Sequence, residues 1–328
     1  FHSPFPSNEA RRRPGEAFVD DTALWVLRLG LLFTTITTLM QQSAQKWAGL
    51  IFATGGALNL LKCFWYGINW YFTDSGEPKM RKIQEDDPDI NISPSDDITK
   101  SQVVKRVEVT KGMRTLGVRL APDGNDHDEF QYRLEQATTM RDQLNKSPLN
   151  RTHVGIGFRA IWRMIMQYPL GATCLTKKQC SKIQSRYLPT FLSKMGINRM
   201  TATAVRHGPL SLGGMEIFNL ETEQAVEHTK LIVAHIRKDD ELGKTMRQSI
   251  DWMQIQAGTS WPVLSRQGKT TRMYIDKCFF SMTWEYLDRI GSHIRLEPTE
   301  GTNTQRVGDC FIMDDVSNMA GIKPIDLV

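Results

Sequence analysis

Asp20 and Asp21 are adjacent carboxylates set between two short apolar runs, Ala17-Phe18-Val19 and Thr22-Ala23-Leu24-Trp25-Val26. Asp is favoured in tight hairpin turns, so the pattern predicts a hairpin over 16–26 with both acids at its tip. A turn can aim two neighbouring carboxylates at one cation, whereas a straight strand sends them to opposite faces. Two unit charges about 4 Å apart repel by roughly 4 kcal/mol at an effective dielectric near 20, and a divalent cation relieves that. Hard oxygen ligands suit Mg2+ (or Mn2+), and a pair of such ions can stabilise both the attacking and the leaving oxygen of a phosphoryl displacement. The bland alternative is a solvated Asp-Asp turn.

A second feature is electrostatic. Residues 146–215 carry eleven Lys and Arg and no Asp or Glu: Lys146, Arg151, Arg159, Arg163, Lys177, Lys178, Lys182, Arg186, Lys194, Arg199 and Arg206. The whole chain has 41 basic and 36 acidic residues, a formal charge of only +5, so this is a local field that the average hides. Arg159 with Arg163, and Lys178 with Lys182, stand four apart and would share helix faces. Such a field is the footprint of a partner with a phosphate backbone; a solvated face or a patch for anionic membrane competes with that reading. The interleaved Phe158, Trp162, Tyr168, Tyr187 and Phe191 recur with the apolar set, so they are expected to pack the helices rather than stack on bases.

The elements that must position these residues can be read from periodicity. Apolar residues at helical spacing from about 34 to 52 (Ile36, Met40, Trp47, Leu50, Ile51) predict an amphipathic helix stopped by Gly55 and Gly56. Residues 58–72 are aromatic and strand-like. Residues 74–103 hold eight acids and three prolines and are expected to be an acidic loop or a disordered insertion. Two alternating runs, 103–109 and 114–121, predict a hairpin turning at Lys111 and Gly112. Helices are then expected at about 129–145, 156–168 ended by Pro169, 177–195 with Thr176 as cap and a kink at Pro189, 219–238, and 243–257 ended by Gly258.

Several function classes fall away. The 328 residues, 40% of them hydrophobic and 23% charged, are enough for about two ordinary domains. Five cysteines (Cys63, Cys174, Cys180, Cys278, Cys310) are odd in number and too dispersed for a disulfide framework, and no Cys/His set has zinc spacing. His228 and His235 lack a third ligand and are expected to be core or surface histidines. The polar, proline-bearing start of the chain is no secretory signal. Residues 22–40 approach the length of a membrane span, but Arg28 and five threonines argue against one, and a buried strand followed by a buried helix is the expectation.

Phe18-Val19-Asp20-Asp21 followed by Ala23, Leu24 and Trp25 resembles the aromatic-x-Asp-Asp motif of reverse transcriptases. Thr54-Gly55-Gly56-Ala57-Leu58-Asn59-Leu60-Leu61-Lys62 resembles the next palm motif of non-LTR (LINE-type) retrotransposon polymerases. Thr115-Leu116-Gly117-Val118 is similar to the Leu-Gly turn of their primer grip, and Gly213-Gly214 before Met215-Glu216-Ile217 to a Gly-Gly motif farther downstream. The resemblance covers about 16–258.

It implies an α+β fold, a partial polymerase palm of β-hairpins with an amphipathic helix followed by an α-helical thumb-like domain. The implied divisions are a palm portion over 1–73, the acidic segment 74–103, a primer-grip-like hairpin over 104–125, a basic thumb-like domain over 126–258 and a C-terminal extension over 259–328. Asp20 and Asp21 would bind Mg2+ (or Mn2+), and Lys62 would protonate the pyrophosphate leaving group. Leu116, Gly117, Arg159, Arg163, Lys177, Lys178, Lys182, Arg186, Arg199 and Arg206 would hold an RNA template paired to a DNA primer, with dNTPs as substrates. Only 19 residues precede Asp20, too few for the earlier palm Asp and the fingers, so the expectation is the downstream part of a larger intracellular polymerase, nuclear or cytoplasmic, whose missing segment belongs to the same polyprotein. The isolated chain is then expected to be inactive. Met313-Asp314-Asp315 imitates the signature but is followed by no apolar strand and reads as a decoy. A non-catalytic nucleic-acid-binding helical module is the alternative, and a membrane-associated protein is the third, disfavoured reading.

Overall fold

The computed structural model describes residues 15–18, 21–26, 32–93, 101–238, 240–259 and 261–296. Helix and strand are both present, giving an α+β chain, and it divides into two compact units between Glu129 and Phe130. Among the described residues no helix is long and apolar enough to cross a membrane.

The first unit opens with β1 (Gly15–Phe18) and β2 (Asp21–Leu24), an antiparallel hairpin in which Phe18 stands opposite Asp21. Helix α1 (Phe33–Ala53) comes next and ends where Gly55 adopts φ 81°, a left-handed conformation that glycine enters without strain. The helix was expected to be buried; it buries only Thr37 and Ala48, and Leu50 and Phe52 face solvent. Its inner face covers β3 (Phe64–Trp65), β7 (Gln102–Arg106) and β6 (Ile90–Ile92), a sheet in the order β3-β7-β6. β7 runs parallel to β3 and antiparallel to β6.

An edge strand leaves backbone donors and acceptors unpaired, and α1 supplies partners for β6. Gln45 donates to the Ser93 carbonyl (3.2 Å) and accepts from its N–H (3.0 Å). Gln41, one turn earlier, accepts from the Asn91 N–H (2.6 Å) and donates to its carbonyl. Two side-chain amides at i and i+4 thereby imitate a neighbouring strand.

Two expectations are corrected in this unit. Residues 74–103 are not a loop throughout. β5 (Pro78–Met80) pairs with β4 (Trp70–Phe72), and β6 puts Ile90 and Ile92 into the core; Asp87 of the same acidic run pairs with Arg106 at 2.7 Å. The second hairpin is also shorter than expected. β7 finds non-local partners in β3 and β6, and the hairpin forms instead between β8 (Met113–Thr115) and β9 (Val118–Leu120). Lys111 and Gly112 are held from outside: the Asp128 carboxylate accepts from Lys111 Nζ (2.8 Å) and from the Gly112 N–H (2.6 Å).

From residue 130 on the chain is helical. Helix α2 (His127–Lys146), whose first turn belongs to the first unit, is succeeded by one continuous rod made of α3 (Arg151–Gly157), a π turn (Phe158–Trp162), α4 (Arg163–Gln167) and a 3-10 turn (Tyr168–Gly171). The rod starts five residues before the expected 156, because Asn150 caps it by accepting from the His153 N–H at 2.9 Å. Helix α5 (Lys177–Lys194) carries the full capping box, Thr176 with Gln179, and α6 (Thr203–His207), α7 (Leu220–Lys238), α8 (Glu241–Ala257) and α9 (Phe279–Arg289) complete the set. Two cores form. Phe158, Trp162, Tyr187, Phe191 and Phe218 pack ring against ring, with centroids 4.8–6.4 Å apart in the first. Ile232, Ile250, Met253, Trp284 and Leu287 anchor the second. Residues 261–296 therefore belong to the helical unit rather than to a separate extension, since Trp284 is fully buried against α7 and α8 neighbours.

His228 is a core histidine, one of the two outcomes expected for it. Its Nε2 lies 2.8 and 2.9 Å from the carbonyls of Thr173 and Leu170, and its Nδ1 faces the Thr283 hydroxyl at 3.1 Å. Burial pushes its pKa down to about 4, against the two carbonyls, which favour the charged form. The unfolded chain thus takes up a proton between about 6.5 and 4 that the folded chain refuses, so this contribution to stability falls as pH drops through that window. Asp251, pushed up to about 6 by burial against the opposing effect of Arg247, acts with the opposite sign at the lower end. Urea unfolding of wild type and His228→Gln from pH 7 to 4 should show the wild type losing about 3 kcal/mol more than the variant; parallel pH profiles would show that the imidazole is not held neutral.

Candidate nucleic-acid interface

Of the two acids, the first hairpin places Asp21. Asp21 is the first residue of β2, opposite Phe18; Val19 and Asp20 lie outside the described residues, as does Met313-Asp314-Asp315. Among the described residues there is no group of three or more His, Cys, Asp or Glu that could hold a metal. Two carboxylates fall short of the six oxygen ligands that Mg2+ demands, so Asp20 and Asp21 could only be part of a shell. Lys62 is exposed in the tight turn between α1 and β3, where its N–H donates to the Asn59 carbonyl at 2.9 Å.

Leu116 and Gly117 are the two residues that join β8 to β9. Both adopt positive φ, 48° and 87°, the signature of a type I′ hairpin turn whose twist matches the strands. Glycine does this freely; leucine does so at a cost of roughly 1–2 kcal/mol. Leu116 is nonetheless held there with its side chain 44% exposed. Gly213 and Gly214 have a structural reason. Gly213 caps a 3-10 turn at φ 77°, and a Cβ on Gly214 would come within 2.1 Å of the Gly208 carbonyl oxygen, so the pair closes the loop over 208–216.

The basic run sorts into three groups. Arg163 is paired with Glu223 of α7 at 3.1 Å. Lys194 donates to the Ser147 carbonyl (3.1 Å), Arg206 to the carbonyls of Arg199 and Thr201 (both 2.9 Å), and Lys182 lies over the Phe130 ring at 5.7 Å. Lys146, Arg151, Arg159, Lys177, Lys178, Arg186 and Arg199 are exposed, and among the described residues their side chains have no ion-pair or hydrogen-bond partner. The aromatics expected to pack do so, apart from Tyr168, which is 63% exposed. The element that sequence reasoning missed is a hollow of about 370 Å³ along one side of α5, with Lys177, Arg199 and Arg206 on its rim. Its residues are spread over 177–221, and no local spacing announces it.

Comparison with protein-family models, with curated proteins and with solved structures gives no match. The functional reading therefore rests on the residues and their geometry.

The strained turn offers a direct test. Asn-Gly is the preferred type I′ pair, so Leu116→Asn should raise the stability of the chain by about 1 kcal/mol in urea unfolding. A loss of stability would mean that the leucine side chain contributes packing that outweighs its backbone strain.

Proposed function

We propose that this chain is the downstream portion of an RNA-directed DNA polymerase of the non-LTR retrotransposon type. The observation that carries the reading is the antiparallel pairing of Phe18 with Asp21, the two described residues of the aromatic-x-Asp-Asp motif, in a hairpin of the kind that carries such a motif in a polymerase palm. The order of the later elements supports it: an amphipathic helix, the Lys62 turn, the Leu116-Gly117 hairpin and a helical unit with a basic face. In this reading Asp20 and Asp21 contribute ligands to catalytic Mg2+ or Mn2+, which when bound would supply charge stabilisation at the phosphoryl oxygens. A further carboxylate would come from an upstream palm strand of the same polyprotein. Lys62, exposed and cationic, suits a general acid toward pyrophosphate. Leu116 and Gly117 would rest against the primer, and the exposed cations on α5 and the neighbouring rod would hold the RNA–DNA duplex by its backbone, which suits a hybrid read by shape rather than base edges.

A non-catalytic nucleic-acid-binding module is the second reading. It is favoured by the seven unpaired cations that 146–215 brings to the helical unit, which needs neither acid to bind a polyanion.

Primer extension on a primed RNA template with Mg2+ separates the two. The chain joined to upstream palm and fingers from a related element should extend the primer, the isolated chain should not, and Asp20→Ala should abolish extension while leaving duplex affinity nearly unchanged. Binding and extension lost together in Asp20→Ala, or no extension by the joined protein, would contradict the polymerase reading.

A further inference from the structure

The hollow along α5 has an apolar floor, and on its polar lining the cationic and amide donors of Lys177, Gln184, Arg199, Arg206 and Asn219 outnumber the acceptors of Ser181, Ser185 and Glu221. We propose that it is a pocket for a single unpaired nucleotide of a nucleic-acid strand, with the base on the floor and the phosphate at the Lys177, Arg199 and Arg206 rim. The inference rests on the nucleic-acid reading above and adds a site to it.

The floor is formed by Leu188, Leu192 and Cys180, all buried. Burial, helped by the nearby Glu221 charge, pushes the Cys180 thiol up to about 12, so it stays a neutral wall and not a nucleophile. The volume, about 370 Å³, lies in the range that small ligands fill.

The polar lining has a fixed sense. Gln184 Oε1 accepts from the Leu220 N–H (3.3 Å) and Asn219 Oδ1 accepts from the Thr222 N–H (3.1 Å). Each amide oxygen is anchored on one backbone N–H, which orients the amides, and among the described residues neither NH2 has a partner. Arg206 brings a further cation to the lining, with its Nη2 anchored on two carbonyls. Lys177 and Arg199 add free cationic donors. Glu221 is the one carboxylate on the lining, and its Oε1 is taken by Arg289 at 2.6 Å.

A cavity that offers donors and few acceptors selects a ligand rich in acceptors. A phosphate supplies them at the rim. An acyl chain would satisfy the floor but not the amides of Gln184 and Asn219, whereas a base edge bearing carbonyls satisfies both. Uracil and thymine bring two ring carbonyls and no amino group, and guanine brings O6 beside N7, while adenine and cytosine place an amino group next to their ring acceptors and would set donor against donor at one of the two amides. The pocket should therefore prefer keto bases. A second hollow of about 280 Å³ shares Pro189 and Arg199 with the first and adds Lys194, which gives the adjoining backbone a path along the helix.

The test is fluorescence anisotropy with the full chain and four labelled ligands: short oligouridylate, oligoadenylate, oligocytidylate and an RNA–DNA duplex. Oligouridylate should bind about tenfold more tightly than the other two strands, the low end for one well-matched base contact. Ser185→Trp, an exposed position on the pocket wall, should erase that preference and leave duplex affinity unchanged; Ser181→Trp, one turn earlier, serves as an independent block should the first variant misfold. Competition by free UMP would assign recognition to the nucleotide itself, and preference without such competition to the nucleotide within a strand. Equal affinity for the three strands, or a preference that survives both tryptophans, would overturn the pocket while duplex binding upholds the wider reading. No binding to any of the four would overturn both.

Discussion

Eleven cations over seventy residues with no carboxylate among them cannot neutralise one another, and the helical unit is arranged around that constraint. Charge left in a low-dielectric interior without a partner is expensive. The stretch therefore buries what carries no charge, chiefly the rings of Phe158, Trp162, Tyr187 and Phe191, and sends every Lys and Arg to the outside, to a backbone carbonyl or to a partner on another element. Glu223 on α7 takes Arg163; backbone carbonyls take Lys194 and Arg206; the Phe130 ring takes Lys182. What remains is a set of exposed cations that only a ligand could neutralise.

The same packing explains the local departures from regular helix. The π turn at Phe158–Trp162 brings both of its bounding aromatic residues into the core, while Arg159, Ala160 and Ile161 between them stay exposed. In α5 the buried positions Cys180, Ile183, Gln184, Tyr187, Leu188, Phe191 and Leu192 form one stripe, and the opposite side carries Lys178, Lys182 and Arg186. Pro189 removes one backbone donor from this helix, at the point where its side chain lines both hollows. Core and basic face are thus two sides of the same residues, and the hollow lies where the stripe meets the loop that carries Arg199 and Arg206.

Much of this was legible in the residues, wherever local signals decide the outcome. Helix α1 was expected over 34–52 and spans Phe33–Ala53, because helical spacing ahead of a glycine pair admits little else; Thr176 and Gly258 marked helix ends for the same reason. The sheet was less legible. β7 chooses β3 and β6 over the adjacent downstream segment, a non-local choice that alternation alone cannot reveal, and β6 is three residues long in acidic surroundings. Helix α9 could have been read, since Phe280, Thr283, Trp284 and Leu287 obey the i, i+3, i+4, i+7 rule. Of the candidate site, the basic run was visible as composition. Which cations stay unpaired was not, because Glu223 is sixty residues from Arg163. The donor-rich hollow depends on carbonyl and amide partners that only the fold supplies.

The central claim is that the unpaired cations meet a phosphate backbone, and the salt dependence of affinity reads this directly. For an RNA–DNA duplex titrated with the full chain across a series of salt concentrations, each neutralised phosphate contributes a slope of about −0.9 in log K against log salt. Engagement of four to six of the seven exposed cations therefore predicts a slope of about −4 to −5. A slope shallower than about −1, or affinity indifferent to salt, would contradict the account.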